Sequence, residues 1–97
     1  MATYIVLANF TEQGIRNVRE TTKRADVFKD LAKTFGATVK DIVWTLGRYD
    51  IICTVDVPDE VSATALGLTL GKSGNVRTET LRAFSYEEMG AILAKVM

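Results

Sequence analysis

The stretch Trp44-Thr45-Leu46-Gly47-Arg48-Tyr49-Asp50 lies between two runs of alternating apolar residues. These runs cover residues 39–46 and residues 49–57 and overlap the two ends of the stretch. In both, apolar residues repeat with period two, as they do in strands. Glycine as the first residue of a two-residue loop suits a type II′ turn, because that position needs a positive φ. The pattern therefore predicts a β-hairpin that turns at Gly47-Arg48. Its expected cross-strand pairs are Leu46–Tyr49, Thr45–Asp50, Trp44–Ile51 and Ile42–Cys53.

The alternation also predicts two unlike faces for this hairpin. The richer apolar face, which we expect to pack on helices, contains Ile42, Trp44, Leu46, Tyr49, Ile51, Cys53, Val55 and Val57. The opposite face contains Asp41, Val43, Thr45, Asp50, Ile52, Thr54 and Asp56. Tyr49 and Asp50 are thus expected on opposite sides of the sheet. The apolar residues of the second face need cover and its carboxylates need water or partners, so we expect a homodimer or a higher homo-oligomer.

Length and composition indicate one ordinary globular domain. The chain has 97 residues, of which 47% are hydrophobic and 25% are charged. Twelve basic and twelve acidic residues give a formal charge of zero, which argues against a nucleic-acid partner. The sequence shows no secretory signal and no apolar run of about 18 residues, so we expect a cytoplasmic protein that does not bind membranes.

The sequence contains no histidine and one cysteine, Cys53. Imidazole is therefore excluded as a ligand of zinc or haem and as a general base. Cys53 falls within a strand pattern and is expected to be a small buried hydrophobic residue. We expect no metal and no cofactor.

The remaining segments predict two elements before the hairpin and three after it. A first strand over Thr3–Phe10 is apolar on both faces, which is typical of a central strand. A helix is expected at about 20–35, ending at Gly36, and another from Pro58 to Leu70 or Gly71. A fourth strand covers Asn75–Phe84. Ser85 and Glu88 form a capping box for a last helix whose apolar residues are Tyr86, Met89, Ile92, Leu93 and Val96.

This order of elements predicts an α+β, ferredoxin-like βαββαβ fold with an added C-terminal helix. Its four-stranded antiparallel sheet would have two helices on one face. Residues 16–24 add a basic cluster, Arg16, Arg19, Lys23 and Arg24 around Glu20, which fits either an anion site or the solvated start of a helix.

The chain also resembles the GYD-domain family. The resemblance rests on three blocks in order: Thr3–Leu7, the Trp44–Asp50 stretch with its Gly47-Arg48-Tyr49-Asp50 turn, and Gly74–Phe84. It covers essentially the whole chain. It implies a place among the dimeric α/β-barrel proteins, in which two ferredoxin-like subunits join their sheets. It carries over no catalytic residues.

Three possibilities remain open: an enzyme, a binding or interaction module, and a structural oligomer that binds no small ligand. A cofactor-independent enzyme, similar to the small monooxygenases and isomerase-like enzymes of related architecture, would use a pocket between sheet and helices. Trp44, Arg48, Tyr49 and Asp50 are the candidates for its mouth, with Tyr49 as a hydrogen-bond donor and Asp50 as a proton acceptor. The alternative is that the aromatic residues belong to the core and that Asp50 binds the turn or neighbouring backbone amides.

The second class is a small-molecule-binding or interaction module without turnover. Its ligand site at a subunit interface would use Arg77, Glu79 and Arg82 on the fourth strand, together with Thr78 and Thr80. The alternative for these residues is a row of ion pairs on an exposed strand, which contributes little to stability.

Overall fold

The computed structural model describes residues 1–97 and arranges them as an antiparallel sheet with helices. The elements are β1 (Ala2–Phe10), α1 (Glu12–Arg16), α2 (Thr21–Thr34), β2 (Thr38–Trp44), β3 (Ile51–Val57), α3 (Glu60–Ser73), β4 (Val76–Ala83) and α4 (Tyr86–Leu93), with a short 3₁₀ turn at Val18–Glu20 before α2. The strands lie in the order β2-β3-β1-β4, and every neighbouring pair is antiparallel. The ferredoxin-like α+β prediction is therefore confirmed, including the central position of the first strand.

The hairpin between β2 and β3 has the predicted register but a longer connection. Trp44 pairs with Ile51, and Ile42 pairs with Cys53, as expected. The ladder ends there, so the predicted Leu46–Tyr49 pair and the two-residue turn are wrong. Residues 45–50 form a wider loop that the backbone amide of Thr45 closes by donating to the carbonyl oxygen of Asp50 at 2.8 Å. The Thr45 hydroxyl also donates to the Tyr49 carbonyl, and these bonds replace continued strand pairing.

A β-bulge interrupts β2 before the hairpin. Val39 pairs with Val55 and Asp41 pairs with Thr54, which leaves Lys40 as one extra residue in β2. The bulge shifts the side-chain alternation by one position, and both Val39 and Ile42 consequently pack against the core.

The start and the end of α3 differ from the prediction. Pro58 was expected in the first turn, but the helix begins after Asp59, whose side chain accepts a hydrogen bond from the Ser62 amide at 2.7 Å. An acidic side chain that binds a free amide competes well for the N-cap position, and Pro58 lies outside the helix. The helix continues past Gly71 to Ser73, because Gly74, with φ +85°, is the residue that adopts the left-handed capping conformation.

The other predicted helices are found where the sequence placed them. Residues 21–34 are helical, and Gly36 follows with φ +72°. At α4, the Ser85 hydroxyl accepts from the Glu88 amide while the Glu88 carboxylate accepts from the Ser85 amide, which is the expected capping box.

The hydrophobic core lies on one side of the sheet only, between its strands and helices α2 and α3. Its nine buried residues are Tyr4, Val6, Phe28, Ala32, Ala37, Cys53, Val55, Val57 and Leu66. Ile5, Leu7, Val43, Ile52, Leu81 and Ala83 point to the other side, which we call the open face, and no helix covers them. Helix α4 contains no buried residue, and Tyr86 and Leu93 are largely exposed.

Candidate functional site

A cavity with a volume of about 280 Å³ lies between the sheet, α2 and α3. The strands supply one wall, through Val6, Ala8, Ile42, Trp44, Ile51, Cys53, Val76 and Thr78. Helix α2 supplies Thr21, Arg24, Ala25, Val27, Phe28 and Leu31, and the end of α3 with the following turn supplies Thr69, Leu70, Ser73 and Asn75. Twelve of these 18 residues are hydrophobic. Such an apolar, concave space with a few polar groups is typical of small-molecule sites.

Two of the six polar lining residues, Thr21 and Arg24, come from the start of α2. Arg24 is the only charged residue in the lining. Its guanidinium donates to the carbonyl oxygens of Gly14 and Asn17, both at 3.2 Å, and therefore fixes the end of α1 against α2. The Trp44 indole donates to the Thr21 hydroxyl at 3.0 Å, which joins the edge strand β2 to the first turn of α2.

Cys53 is buried and lines the same cavity. Burial disfavours the charged thiolate and raises the pKa of Cys53 to about 11. At neutral pH the side chain is a neutral thiol, which is a poor nucleophile and a poor metal ligand. Cys53 is accordingly an apolar part of the cavity wall, as its strand pattern predicted.

Asp50 binds backbone amide groups rather than the cavity. One carboxylate oxygen accepts a hydrogen bond from the Phe10 amide at 2.9 Å, and the Asp50 amide donates to the Ala8 carbonyl at 2.9 Å. The residue thus joins the end of the hairpin loop to the end of β1. Its contacts match the alternative in which Asp50 holds neighbouring backbone groups.

Tyr49 lies on the open face, and its predicted position on the helix-facing side is wrong. Its hydroxyl donates to the Glu79 carboxylate at 3.2 Å. Glu79 pairs with Leu7, a residue of the open face. The prediction assumed that Tyr49 belongs to the strand, where side chains alternate between the two faces. Tyr49 lies in the wide loop instead, so this alternation does not apply to it. Leu46, also predicted on the helix-facing side, is fully exposed in the same loop.

Of the four residues proposed for the mouth of a pocket, the structure brings only Trp44 to the cavity. Arg48 is exposed, with its guanidinium carbon 5.9 Å from the centre of the Tyr49 ring. Arg48, Tyr49 and Asp50 do not line the cavity.

The three charged residues proposed on β4 are divided between the two faces. Arg77 is exposed on the open face and forms no ion pair with Glu79. Arg82 is on the helix-facing side, where it donates to the Thr3 carbonyl and to the Glu88 carboxylate, at 3.3 and 3.2 Å. Its guanidinium carbon also lies 4.5 Å from the centre of the Phe84 ring. Arg82 therefore connects β1 and α4 to the end of β4.

Sequence reasoning found Arg24 only as one member of a basic cluster, and the structure separates that cluster. Arg16 pairs with Glu12, and Lys23 pairs with Glu20 at 3.4 Å. Arg19 is exposed without an ion pair, and Arg24 alone reaches the cavity. Arg24 lies one turn before the apolar stripe of α2, which is the one feature of the sequence that links it to the sheet. This position does not determine which strands lie opposite Arg24.

The fold defines a small ferredoxin-like α+β protein with an apolar cavity and an uncovered sheet face. Residues 4–93 match the family described as GYD domain, and the chain belongs to that family. A protein of Thermus thermophilus named "Glutamine synthetase and cystathionine beta-lyase binding protein" is 31% identical over 94 residues, which are 96% of this chain and 99% of that protein. The longest helices have 14 residues, and none has the length and apolarity needed to span a bilayer.

Proposed function

We propose that this chain is a cytoplasmic interaction module that forms a homodimer through its open face and α4, and that the dimer binds partner enzymes without catalysing a reaction. The observation that carries the proposal is the large accessible surface of one copy, which includes uncovered apolar side chains on the open face and α4. Only 11 of the 97 residues are buried.

The accessible surface is large for a protein of this size. It amounts to 6806 Å² at a mass of 10.7 kDa. A monomeric protein of this mass exposes about 5,500 Å², so the chain exposes about 1,300 Å² more than expected. A stable dimer buries about 800 Å² on each partner, which the excess is sufficient to supply.

A second copy of this chain is a suitable partner to cover the open face. Val43 and Leu81 are 42% and 45% exposed on its two edge strands, and both signs of charge are present, as Asp41 and Arg77. Around a two-fold axis, the two copies would use the same surface, so each contact between an apolar or charged group of one copy and the other copy would occur twice. Tyr86 and Leu93 of α4 supply further apolar surface that nothing in one copy covers.

The proposed partner class is supported by the relative from Thermus thermophilus, whose name describes binding to two enzymes. That relative matches this chain along nearly its whole length. The alternative of a cofactor-independent enzyme requires Tyr49 or Asp50 at an enclosed cavity. Asp50 binds backbone groups instead, and Tyr49 binds Glu79, which favours the module without turnover.

Native mass spectrometry of the purified protein at micromolar concentration tests the homodimer. We expect the dimer mass, and we expect Leu81→Asp to give the monomer mass, because a carboxylate would be buried without a partner at the interface. Leu46→Asp is the matched control, since Leu46 is fully exposed in the hairpin loop and is not one of the apolar residues of the open face. A monomeric wild-type chain, or dimers that persist in Leu81→Asp, would contradict the assembly.

Enzyme binding is tested with purified glutamine synthetase and cystathionine beta-lyase from the organism that encodes this chain. Wild type and Leu46→Asp should bind at least one of them, as measured by biolayer interferometry. Failure of both enzymes to bind the dimer would contradict the proposed partner class while leaving the assembly intact.

A further inference from the structure

The cavity between the sheet, α2 and α3 has one charged residue in a mainly apolar lining, and this feature plays no part in the proposed dimer contact. It lies on the helix-facing side of the sheet, opposite the open face. Twelve of its 18 lining residues are hydrophobic, and the single charged one is Arg24. A ligand with one anionic end and an apolar body would match this distribution.

The positive charge of Arg24 has no acidic partner within the chain. The guanidinium contacts two backbone carbonyls, and no carboxylate lies within 4.0 Å of it. Two further polar groups of the lining are free as well, since the Thr78 hydroxyl and the Asn75 side-chain nitrogen make no hydrogen bond. A guanidinium carries five N–H donors, so two contacts to carbonyls leave donors for a carboxylate.

We infer that this cavity binds an organic carboxylate, with its apolar body against the β1–β3 wall and its carboxylate on Arg24. The volume sets the size of the ligand. A water molecule, with one non-hydrogen atom, takes about 30 Å³ in the liquid, and on that scale 280 Å³ corresponds to about nine or ten such atoms. Octanoate has this size and serves as the probe.

The protein carries its own reporter for this site. Trp44 is the only tryptophan, and it lines the cavity. A ligand that enters will change the environment of its indole and thus its fluorescence. Titration of the full chain with octanoate, octan-1-ol and octylammonium compares an anionic, a neutral and a cationic head on the same apolar tail.

We expect octanoate to bind at least ten times more tightly than octan-1-ol, and octylammonium to bind least. In Arg24→Gln the preference of octanoate over octan-1-ol should fall to less than threefold. Arg24→Lys, which keeps the charge, should retain a preference above threefold. Arg19→Gln is the matched control, because Arg19 is exposed without an ion pair outside the cavity, and it should behave as wild type. The measured quantity is the ratio of the affinities of octanoate and octan-1-ol for the same protein. A general loss of stability in Arg24→Gln would affect both affinities and leave their ratio interpretable.

A second variant tests the location of the apolar body. Ala25 lines the cavity from α2, and Ala25→Leu should fill part of it while keeping a good helix former. Affinity for both octanoate and octan-1-ol should fall at least fivefold. Equal binding of octanoate and octan-1-ol to wild type, a preference that survives Arg24→Gln, or unchanged affinity in Ala25→Leu would each overturn the assignment. None of these results depends on whether the chain is a dimer.

Discussion

Replacing Asp50 with alanine removes the acceptor of the Phe10 amide while leaving the backbone bond from Asp50 to Ala8 in place. The lost bond measures 2.9 Å and is partly buried. A partly buried amide left without an acceptor costs about 1–3 kcal/mol, so we expect Asp50→Ala to lower the free energy of unfolding by about 2 kcal/mol. For a domain of this length that corresponds to a fall in Tm of about 8–16 °C.

The assay is thermal unfolding followed by circular dichroism at one fixed protein concentration, since association would shift Tm. Asp50→Asn keeps an acceptor oxygen and should lose no more than about half of that stability. Asp26→Ala is the control, because Asp26 is exposed on α2 without an ion pair or side-chain hydrogen bond, and its Tm should stay within about 4 °C of wild type. If Asp50→Ala and Asp26→Ala have the same Tm, the carboxylate does not hold the end of β1, and the structural reading of this residue is refuted.

Two further perturbations concern backbone geometry and pH. A Cβ at Gly14 would lie 1.9 Å from the Asn75 carbonyl oxygen, so Gly14→Ala should lower stability by about 1–3 kcal/mol in urea unfolding. The Asp59 carboxylate accepts from the Ser62 amide, which lowers its pKa, so its contribution is present above the ordinary carboxyl pKa and is lost as pH falls through the lowered value. The Tm difference between wild type and Asp59→Asn should therefore shrink between neutral pH and about pH 2.

The control for Gly14→Ala is a substitution at another glycine. Gly67 is inside α3 with open space around it, and Gly67→Ala should stabilise the protein by about 0.5–1 kcal/mol. An equal effect of both glycine substitutions would contradict the close approach at Gly14. For the pH series, a Tm difference between Asp59→Asn and wild type that stays constant with pH would contradict the role of the Asp59 carboxylate.

Local chemistry made much of the fold predictable. The Ser85–Glu88 box and Gly36 each satisfy backbone groups within one turn, and both were located correctly from the sequence. Local sequence does not determine the end of α3, because Gly71 and Gly74 are both suitable capping residues and only packing decides between them. Gly74 receives the positive φ, where its backbone lies beside the Gln13 side chain from a distant part of the chain.

The site was harder to predict because it depends on contacts between distant segments. Trp44 was chosen for its aromatic ring and does line the cavity. Tyr49 was placed by strand alternation, which the six-residue loop interrupts. Arg24 and Trp44 line the same cavity only after α2 docks on the sheet, and no spacing in the sequence specifies that docking.

The extra residue in β2 also limits how sheets of this protein can join edge to edge. Strands β2 and β4 form the two edges of the sheet, and the bulge at Lys40 makes the first edge irregular. Irregular, charged edges resist the addition of another strand. The regular β4 edge is therefore the better acceptor for a further strand. The bulge thus disfavours a continuous sheet that would grow by pairing β2 of one copy with β4 of the next.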